Sequence, residues 1–237
     1  MNSVMVVVVA ALIGVSRSQP TGCTPDEELF QIVEDSRFSF YRSIGRGHQP
    51  ITVLTDLWIQ DYVQFCPNKQ QLDLILFVSH TWNAPQLAYG EPDRTPPCRG
   101  SVELAGAWRR WHLDVAFVDA RQLEILSTPV KNVYTTVYQN GTVWSNYRAK
   151  LSLPCQRTAY KSYNCTMTMS SYGHSTRDMD LRWGRQKILQ LKAGYSDIFQ
   201  VNGTAVAHSE QHFPMGTFSE LSGAINVQLK QWHQAMC

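Results

Sequence analysis

The sequence predicts an all-β domain, a sandwich of about ten strands with an α-helix at its N-terminus. Apolar and polar residues alternate over 143–153 and again over 166–172, which is typical of half-buried strands. Cys155 and Cys165 lie between these two runs, and we expect them to close a short loop as a disulfide. The length of 237 residues, 43% of them hydrophobic, suits one β-sandwich with a sizeable core.

The N-terminal segment predicts secretion. Residues 4–15 form an apolar run that is too short to span a bilayer, and small and polar residues follow it. We therefore predict a signal peptide over 1–18 and a mature domain over 24–236, with a buried N-terminal strand as the alternative for the apolar run. No later window offers the roughly 18 to 20 apolar residues of a membrane span, so we expect a secreted, extracellular chain.

The predicted helix covers 24–35, where Thr24 can cap the first turn, Pro25 follows it, and acidic residues come next. Two strands are predicted at 51–63 and 72–81, joined by a turn around Cys66. The later predicted elements are strands at 188–191, 195–200 and 224–232, with a hairpin turning within 208–218.

Composition and spacing exclude several classes of function. The net charge of +2, without a basic stripe, argues against a nucleic-acid partner. No Cys/His cluster has the spacing of a zinc site, so we expect neither metal nor cofactor. An enzyme is not expected, because no Ser-His-Asp spacing or phosphate-binding loop occurs. The only candidate catalytic side chains are scattered along the sequence: Asp114, Asp119, His174 and Asp178.

Six cysteines and three Asn-x-Ser/Thr sequons fit a secreted glycoprotein. The predicted glycosylation sites are Asn140, Asn164 and Asn202.

Two segments carry a resemblance to a known family. Arg148 stands seven residues before Cys155 in RAKLSLPC, and MSSYGHSTRDMDLRW follows the second cysteine. Farther upstream, WNAPQLAY begins at Trp82 and has Ala84 where the family usually has aspartate. The chain thus resembles the extracellular domain of Cys-loop (pentameric ligand-gated) channels, in the anion-channel branch. The resemblance implies an immunoglobulin-like twisted β-sandwich with an N-terminal helix.

One feature departs from the family pattern. The segment between the paired cysteines reads QRTAYKSYN and has neither the proline nor the aspartate of the usual tip. In a channel, that tip presses on the membrane domain and helps to transmit gating. The altered segment argues against channel gating and leaves the fold expected. Together with the lack of a later membrane-span window, it leads us to expect a pore-less member, as in the soluble acetylcholine-binding proteins.

In the family, ligands bind between neighbouring subunits of a five-membered ring, inside a box of aromatic side chains that attracts cationic amines. The resemblance implies Tyr172 and Phe218 on the principal face, together with Phe117, which adjoins Val118 at the position of a family tyrosine. On the complementary face it implies Phe77, Asn146 and Arg148. Core packing is the alternative for Phe77 and Tyr172, and a cross-strand ion pair is the alternative for Arg148.

The ligand stays open between an amine and an amino acid. Ser79 stands where glutamate- and GABA-type sites carry an arginine, so carboxylate capture would have to rely on Arg148. The third ligand-binding loop also lacks the vicinal cysteine pair of acetylcholine-type sites.

The resemblance also suggests pairings for the other cysteines. It favours Cys23–Cys98 and Cys66–Cys237, with a bond from Cys237 to a second subunit as the alternative. The leading functional hypothesis is a secreted homopentamer that binds a small neurotransmitter-like ligand at its subunit interfaces. The alternatives are a truncated subunit that modulates full-length channels and an unrelated secreted β-sandwich interaction module.

Overall fold

A computed structural model describes residues 49–89, 100–103, 113–191 and 198–230. These ranges contain eleven strands and a short 3₁₀-helix at Pro85–Leu87. The strands are β1 (Ile51–Cys66), β2 (Gln71–Asn83), β3 (Ser101–Glu103), β4 (Val115–Phe117), β5 (Gln122–Ile125), β6 (Val133–Tyr138), β7 (Thr142–Ala159), β8 (Ser162–Ser171), β9 (Met179–Gln190), β10 (Phe199–Phe213) and β11 (Gly216–Leu229). The predicted all-β sandwich is confirmed. The predicted signal peptide and N-terminal helix lie outside the described residues.

The strands follow the order β10-β11-β8-β7-β2-β1-β9. All pairs along this path are antiparallel except β1 with β9, which is parallel. The short strands β3 to β6 attach at the sides: β3 pairs with β6, β4 with β8, and both β5 and β6 pair with β7.

Strand β7 belongs to both layers of the sandwich. Its first part, 142–154, pairs with β2, and its last part pairs with β8 from Cys155 to Ala159. Inward-facing apolar side chains of both layers form one core, because every second residue of a strand points to the same face. The fully buried members include Leu57, Leu74, Leu76, Leu151, Met167, Met169, Leu221 and Ile225.

The predicted disulfide between Cys155 and Cys165 is present, but it does not close a loop. The two cysteines stand opposite each other in a ladder that continues to Ala159 and Ser162. Only Tyr160 and Lys161 turn the chain, and Lys161 takes a left-handed backbone angle, φ 61°. The segment has no proline to interrupt the ladder, and a two-residue turn suffices for a hairpin. The expected loop is therefore a β-hairpin.

Cys66 is also in a disulfide. Because Cys155 and Cys165 bond to each other, the partner of Cys66 is one of the cysteines outside the described residues. Its pairing with Cys237, and that of Cys23 with Cys98, stay predictions.

Strand β9 begins at Met179, nine residues before the strand predicted at 188. The missed residues 179–183 alternate apolar and polar, so their pattern was available in the sequence. A bulge separates them from the predicted part of the strand: Thr55 and Leu57 of β1 pair with Trp183 and Ile188, which places four residues of β9 opposite one residue of β1. The carboxylate of Asp56 fills the bulge and accepts hydrogen bonds from the backbone N–H groups of Gln186 (2.8 Å) and Lys187 (2.6 Å). The predicted hairpin is confirmed: β10 turns into β11 at Pro214 and Met215.

Candidate ligand-binding faces

Tyr172 stands directly after β8, and 88% of its side-chain surface is exposed. The chain is held there from two sides. The Tyr172 N–H donates to the carbonyl oxygen of Asp114 at 3.0 Å, and the Thr176 N–H donates to the carbonyl oxygen of Thr217 in β11 at 2.7 Å. The segment that presents Tyr172, residues 172–178, is thus fixed to the start of β4 and to β11.

The carboxylate of Asp114 is the anchor of this segment. It accepts hydrogen bonds from the Ser171 hydroxyl (3.0 Å) and from the Gly173 N–H (2.6 Å). His174 Nδ1 lies 2.9 Å from Asp114 Oδ2, a contact that becomes an ion pair when the imidazole is protonated. Both side chains are largely buried, with 12% of His174 and 16% of Asp114 exposed, so bulk water screens this contact only weakly.

Phe218 lies near the start of β11 and is buried, with 9% of its surface exposed. Its ring meets the ring of Phe213 edge-on, with centroids 5.8 Å apart. Phe213, at the end of β10, keeps 53% of its surface exposed. Sequence reasoning assigned no role to Phe213, although the pattern of an aromatic residue on each arm of the predicted hairpin pointed to it.

Phe117 lies in the core, where its strand pairs it with Met169. The neighbouring Val118 points the other way and exposes 58% of its surface. The alternation along β4 explains this, because consecutive residues face opposite sides. A ligand contact by Phe117 stays a prediction, and Val118 is the residue that this part of the chain presents to solvent.

On the complementary face, Phe77 of β2 stands between Trp58 of β1 and Arg148 of β7. All three belong to the outward-facing rows of their strands, whose inward-facing neighbours are buried. Arg148 Nε donates to the side-chain oxygen of Gln60 at 2.6 Å, so its partner is a neutral amide. The complementary residues therefore form a half-buried strip with an arginine at one end.

Asn146 stands one step along the same face, opposite Ser79 on β2 and Tyr134 on β6. Trp144 donates its indole N–H to the Ser79 hydroxyl at 2.7 Å, and its ring meets Tyr134 edge-on at 5.6 Å. Neither tryptophan of this face, Trp58 or Trp144, was assigned to it from the sequence. The signal was available for Trp144, which shares the alternation of Asn146 and Arg148.

The two candidate faces belong to different layers. Phe77 and Arg148 lie on the outer side of the β7-β2-β1-β9 layer, whereas Tyr172 and Phe218 belong to the β8 and β11 side of the sandwich. Across the described residues, no group of three His, Cys, Asp or Glu side chains could hold a metal ion. No helix in those ranges is long and apolar enough to cross a membrane.

A sandwich with a disulfide-bonded hairpin and aromatic residues on two separate faces has the architecture expected for a ligand-binding domain of the Cys-loop class. Comparison with known families agrees, since residues 34–230 match the neurotransmitter-gated ion-channel ligand binding domain. The chain belongs to this family.

Relatives from Caenorhabditis elegans include the acetylcholine-gated chloride channel subunit acc-1, 27% identical over 85% of this chain and 44% of the relative. The acetylcholine-gated chloride channel subunit acc-2 is 20% identical over 87% of this chain and 47% of the relative. The serotonin-gated chloride channel mod-1 is 17% identical over 76% of this chain and 37% of the relative. The chain thus spans less than half the length of these relatives. Their names place them in the anion-channel branch, as the sequence predicted.

Proposed function

We propose that this chain binds a small neurotransmitter-like molecule, an amine or an amino acid, at the interface between copies of itself in a homopentameric ring. One observation carries the proposal. The exposed Tyr172 and the Phe77–Arg148 strip lie on different layers of one sandwich, so a ligand can touch both only where two copies meet. Each copy would then supply Tyr172 to a site shared with one neighbour, and the Phe77–Arg148 strip to a site shared with the other neighbour.

The residue types suit such a ligand. Aromatic ring faces attract a cationic amine by about 0.5–2 kcal/mol each, depending on how far water is excluded. Tyr172 offers a ring to solvent, and Phe77 and Trp58 offer rings on the other face. Arg148 stands beside Phe77 and can attract a carboxylate, so an amino acid could be held by both ends.

We also propose that the protein acts outside the cell as a ligand-binding protein without enzymatic activity and without a pore. The disulfide-bonded hairpin and the exposed sequons Asn140 and Asn202 support an extracellular location. The tip Tyr160–Lys161 supports action without a pore, because it lacks the proline and aspartate of the channel family.

The first test is the mass of the secreted, deglycosylated protein in solution, measured by light scattering. We expect a mass near five subunits. Binding of phenethylamine, glutamate and GABA would then be measured by calorimetry on the wild type and on Tyr172→Ala, with Tyr160→Ala as the exposed control tyrosine. A monomer, or binding that survives Tyr172→Ala undiminished, would contradict the interface site.

A second candidate is a subunit that assembles with full-length channels and modulates them. The altered hairpin tip favours it, because a subunit that cannot couple to a pore would still fill a place in a mixed ring. Co-expression of this chain with a chloride channel of the same organism, followed by affinity purification, distinguishes the two. Co-purification at a fixed ratio supports modulation, and recovery of this chain alone supports the homopentamer.

A further inference from the structure

An open cleft of about 420 Å³ separates the segment after Tyr172 from the turn between β10 and β11. Ser175 and Arg177 line one side, and His212, Phe213, Met215 and Thr217 line the other. None of these six residues belongs to the aromatic faces predicted from the sequence.

The two walls are fastened together. The Thr176 N–H donates to the Thr217 carbonyl oxygen at 2.7 Å, and His212 Nδ1 lies 2.9 Å from the Thr217 hydroxyl. Gly216, at φ 151°, allows the close approach, since a Cβ there would lie 3.2 Å from the Cβ of Ser175. The Thr176–Thr217 hydrogen bond therefore joins the two walls, and the His212 contact lies within the second wall.

The charge in this cleft comes from Arg177. Within the described residues its guanidinium group makes no hydrogen bond or ion pair. The neighbouring carboxylate of Asp178 lies within 3.5 Å of the Ser175 hydroxyl, which it engages instead. The guanidinium group stays charged at any physiological pH and presents paired N–H donors that match a carboxylate.

The opposite wall carries two exposed apolar side chains beside the polar His212 and Thr217. Phe213 leaves 53% of its surface open and Met215 leaves 78%. Contact between an exposed aromatic or thioether side chain and an apolar group of a ligand is favourable, because it removes apolar surface from water. A cation and two exposed apolar side chains lining one cleft suit a small molecule with a carboxylate at one end and an apolar body.

We propose that the cleft binds the carboxylate of the ligand through Arg177, while the apolar part of the ligand packs against Phe213 and Met215. This inference rests on the proposed function, because Phe213 lines the cleft and its ring also contacts Phe218 of the principal face. It selects among the ligand classes left open: an amino acid or another carboxylate fits, whereas a simple cationic amine is repelled at this end.

The test uses phenylacetate and its neutral isostere phenylacetamide, with binding to the full secreted chain measured by saturation-transfer NMR titration. We expect the carboxylate to bind about tenfold more tightly, the size of one hydrogen bond to a charged group. Arg177→Gln should abolish this preference and Arg177→Lys should retain part of it. Arg185→Gln removes a charge from an exposed arginine of β9 and should leave the preference unchanged. Thermal unfolding of each variant checks the fold.

The inference is overturned if phenylacetate does not bind, if it binds no better than phenylacetamide, or if Arg177→Gln keeps the preference. Phenethylamine binding that depends on Tyr172, measured in parallel, tests the proposed function separately. If amine binding depends on Tyr172 but no carboxylate binding depends on Arg177, the cleft proposal is contradicted and the aromatic site is supported. If carboxylate binding depends on Arg177 and the protein is a monomer, the cleft proposal is supported and the interface site is contradicted.

Discussion

Asp114 Oδ2 lies 2.9 Å from His174 Nδ1, and this contact ties the start of β4 to the segment that presents Tyr172. The same carboxylate receives the Gly173 N–H and the Ser171 hydroxyl, so three groups on one short segment share one acceptor. An exposed aromatic side chain is useful for binding only if its backbone is fixed, because ordering a loose segment costs conformational entropy. Asp114 therefore acts on the candidate site by positioning Tyr172.

Asp114→Asn keeps the shape of the side chain and removes its charge. We expect the free energy of unfolding in urea to fall by about 2 kcal/mol, because hydrogen bonds to a charged acceptor are weakened and buried donors lose a good partner. Ligand binding should weaken as well. Asp180→Asn is the matched control, since its partner Arg182 is 48% exposed and such pairs contribute about 1 kcal/mol or less. Equal losses in the two variants would contradict the anchoring role of Asp114.

Gly141 holds the turn before β7 against the segment after β2. Its backbone takes φ 77°, and a Cβ there would lie 2.5 Å from the carbonyl oxygen of Ala84. A backbone atom cannot rotate away, so Gly141→Ala should lower the free energy of unfolding by more than about 2 kcal/mol. Gly203→Ala is the control, because no atom lies within 4 Å of its Cβ position. If both variants unfold at the same urea concentration, the close approach of Gly141 to Ala84 does not contribute to stability as expected.

Much of the fold could be predicted from the sequence because the alternation of β2 and β7 is regular and each buries one face. The continuity of β9 across 184–187 could not, since the bulge there breaks the alternation and is stabilised by Asp56, a residue far away in the chain. The hairpin at Cys155 was mistaken for a loop for a related reason. Its turn places Lys161 in a left-handed conformation, and lysine is not a residue whose presence predicts that conformation.

The candidate site shows the same division. Tyr172 and Arg148 could be placed on the two faces because local segments carry the resemblance. Arg177 and Met215 line one cleft because hydrogen bonds such as that between Thr176 and Thr217 join two segments about 40 residues apart. No local pattern reports such a contact.

The three sequons should differ in glycan occupancy when the chain is secreted from insect cells. Asn140 and Asn202 are exposed, whereas Asn164 lies in the ladder between Gln156 and Asn226 with its side-chain oxygen buried. Attaching a glycan to Asn164 would require its enclosed side chain to reorient, so we expect folded protein to carry glycans at 140 and 202 and less at 164. Glycopeptide mass spectrometry measures this, with Asn→Gln variants as controls. High occupancy at Asn164 in folded protein would contradict the register found here.

The buried phenol of Tyr147 predicts a loss of stability in alkali. Burial raises the pKa of Tyr147 above its usual value, because the charged phenolate is poorly solvated inside the sandwich. The folded state therefore keeps a proton that the unfolded state releases above a pH of about 10. The stabilising effect of the buried neutral phenol is fully present below that pH. It is lost as the pH rises toward the folded-state pKa, at up to about 1.4 kcal/mol per pH unit.

Tyr147→Phe removes this titrating group. The fall of the unfolding free energy with pH should become less steep between about pH 10 and 11, by up to the slope that one proton gives. Urea titrations at a series of pH values measure the slope directly. Tyr160→Phe is the control, because 76% of the Tyr160 surface is exposed. Burial of Tyr62 raises its pKa as well, so the double variant Tyr62→Phe/Tyr147→Phe should be flatter than either single variant. An unchanged slope in Tyr147→Phe would show that the phenol reaches water before the sandwich unfolds.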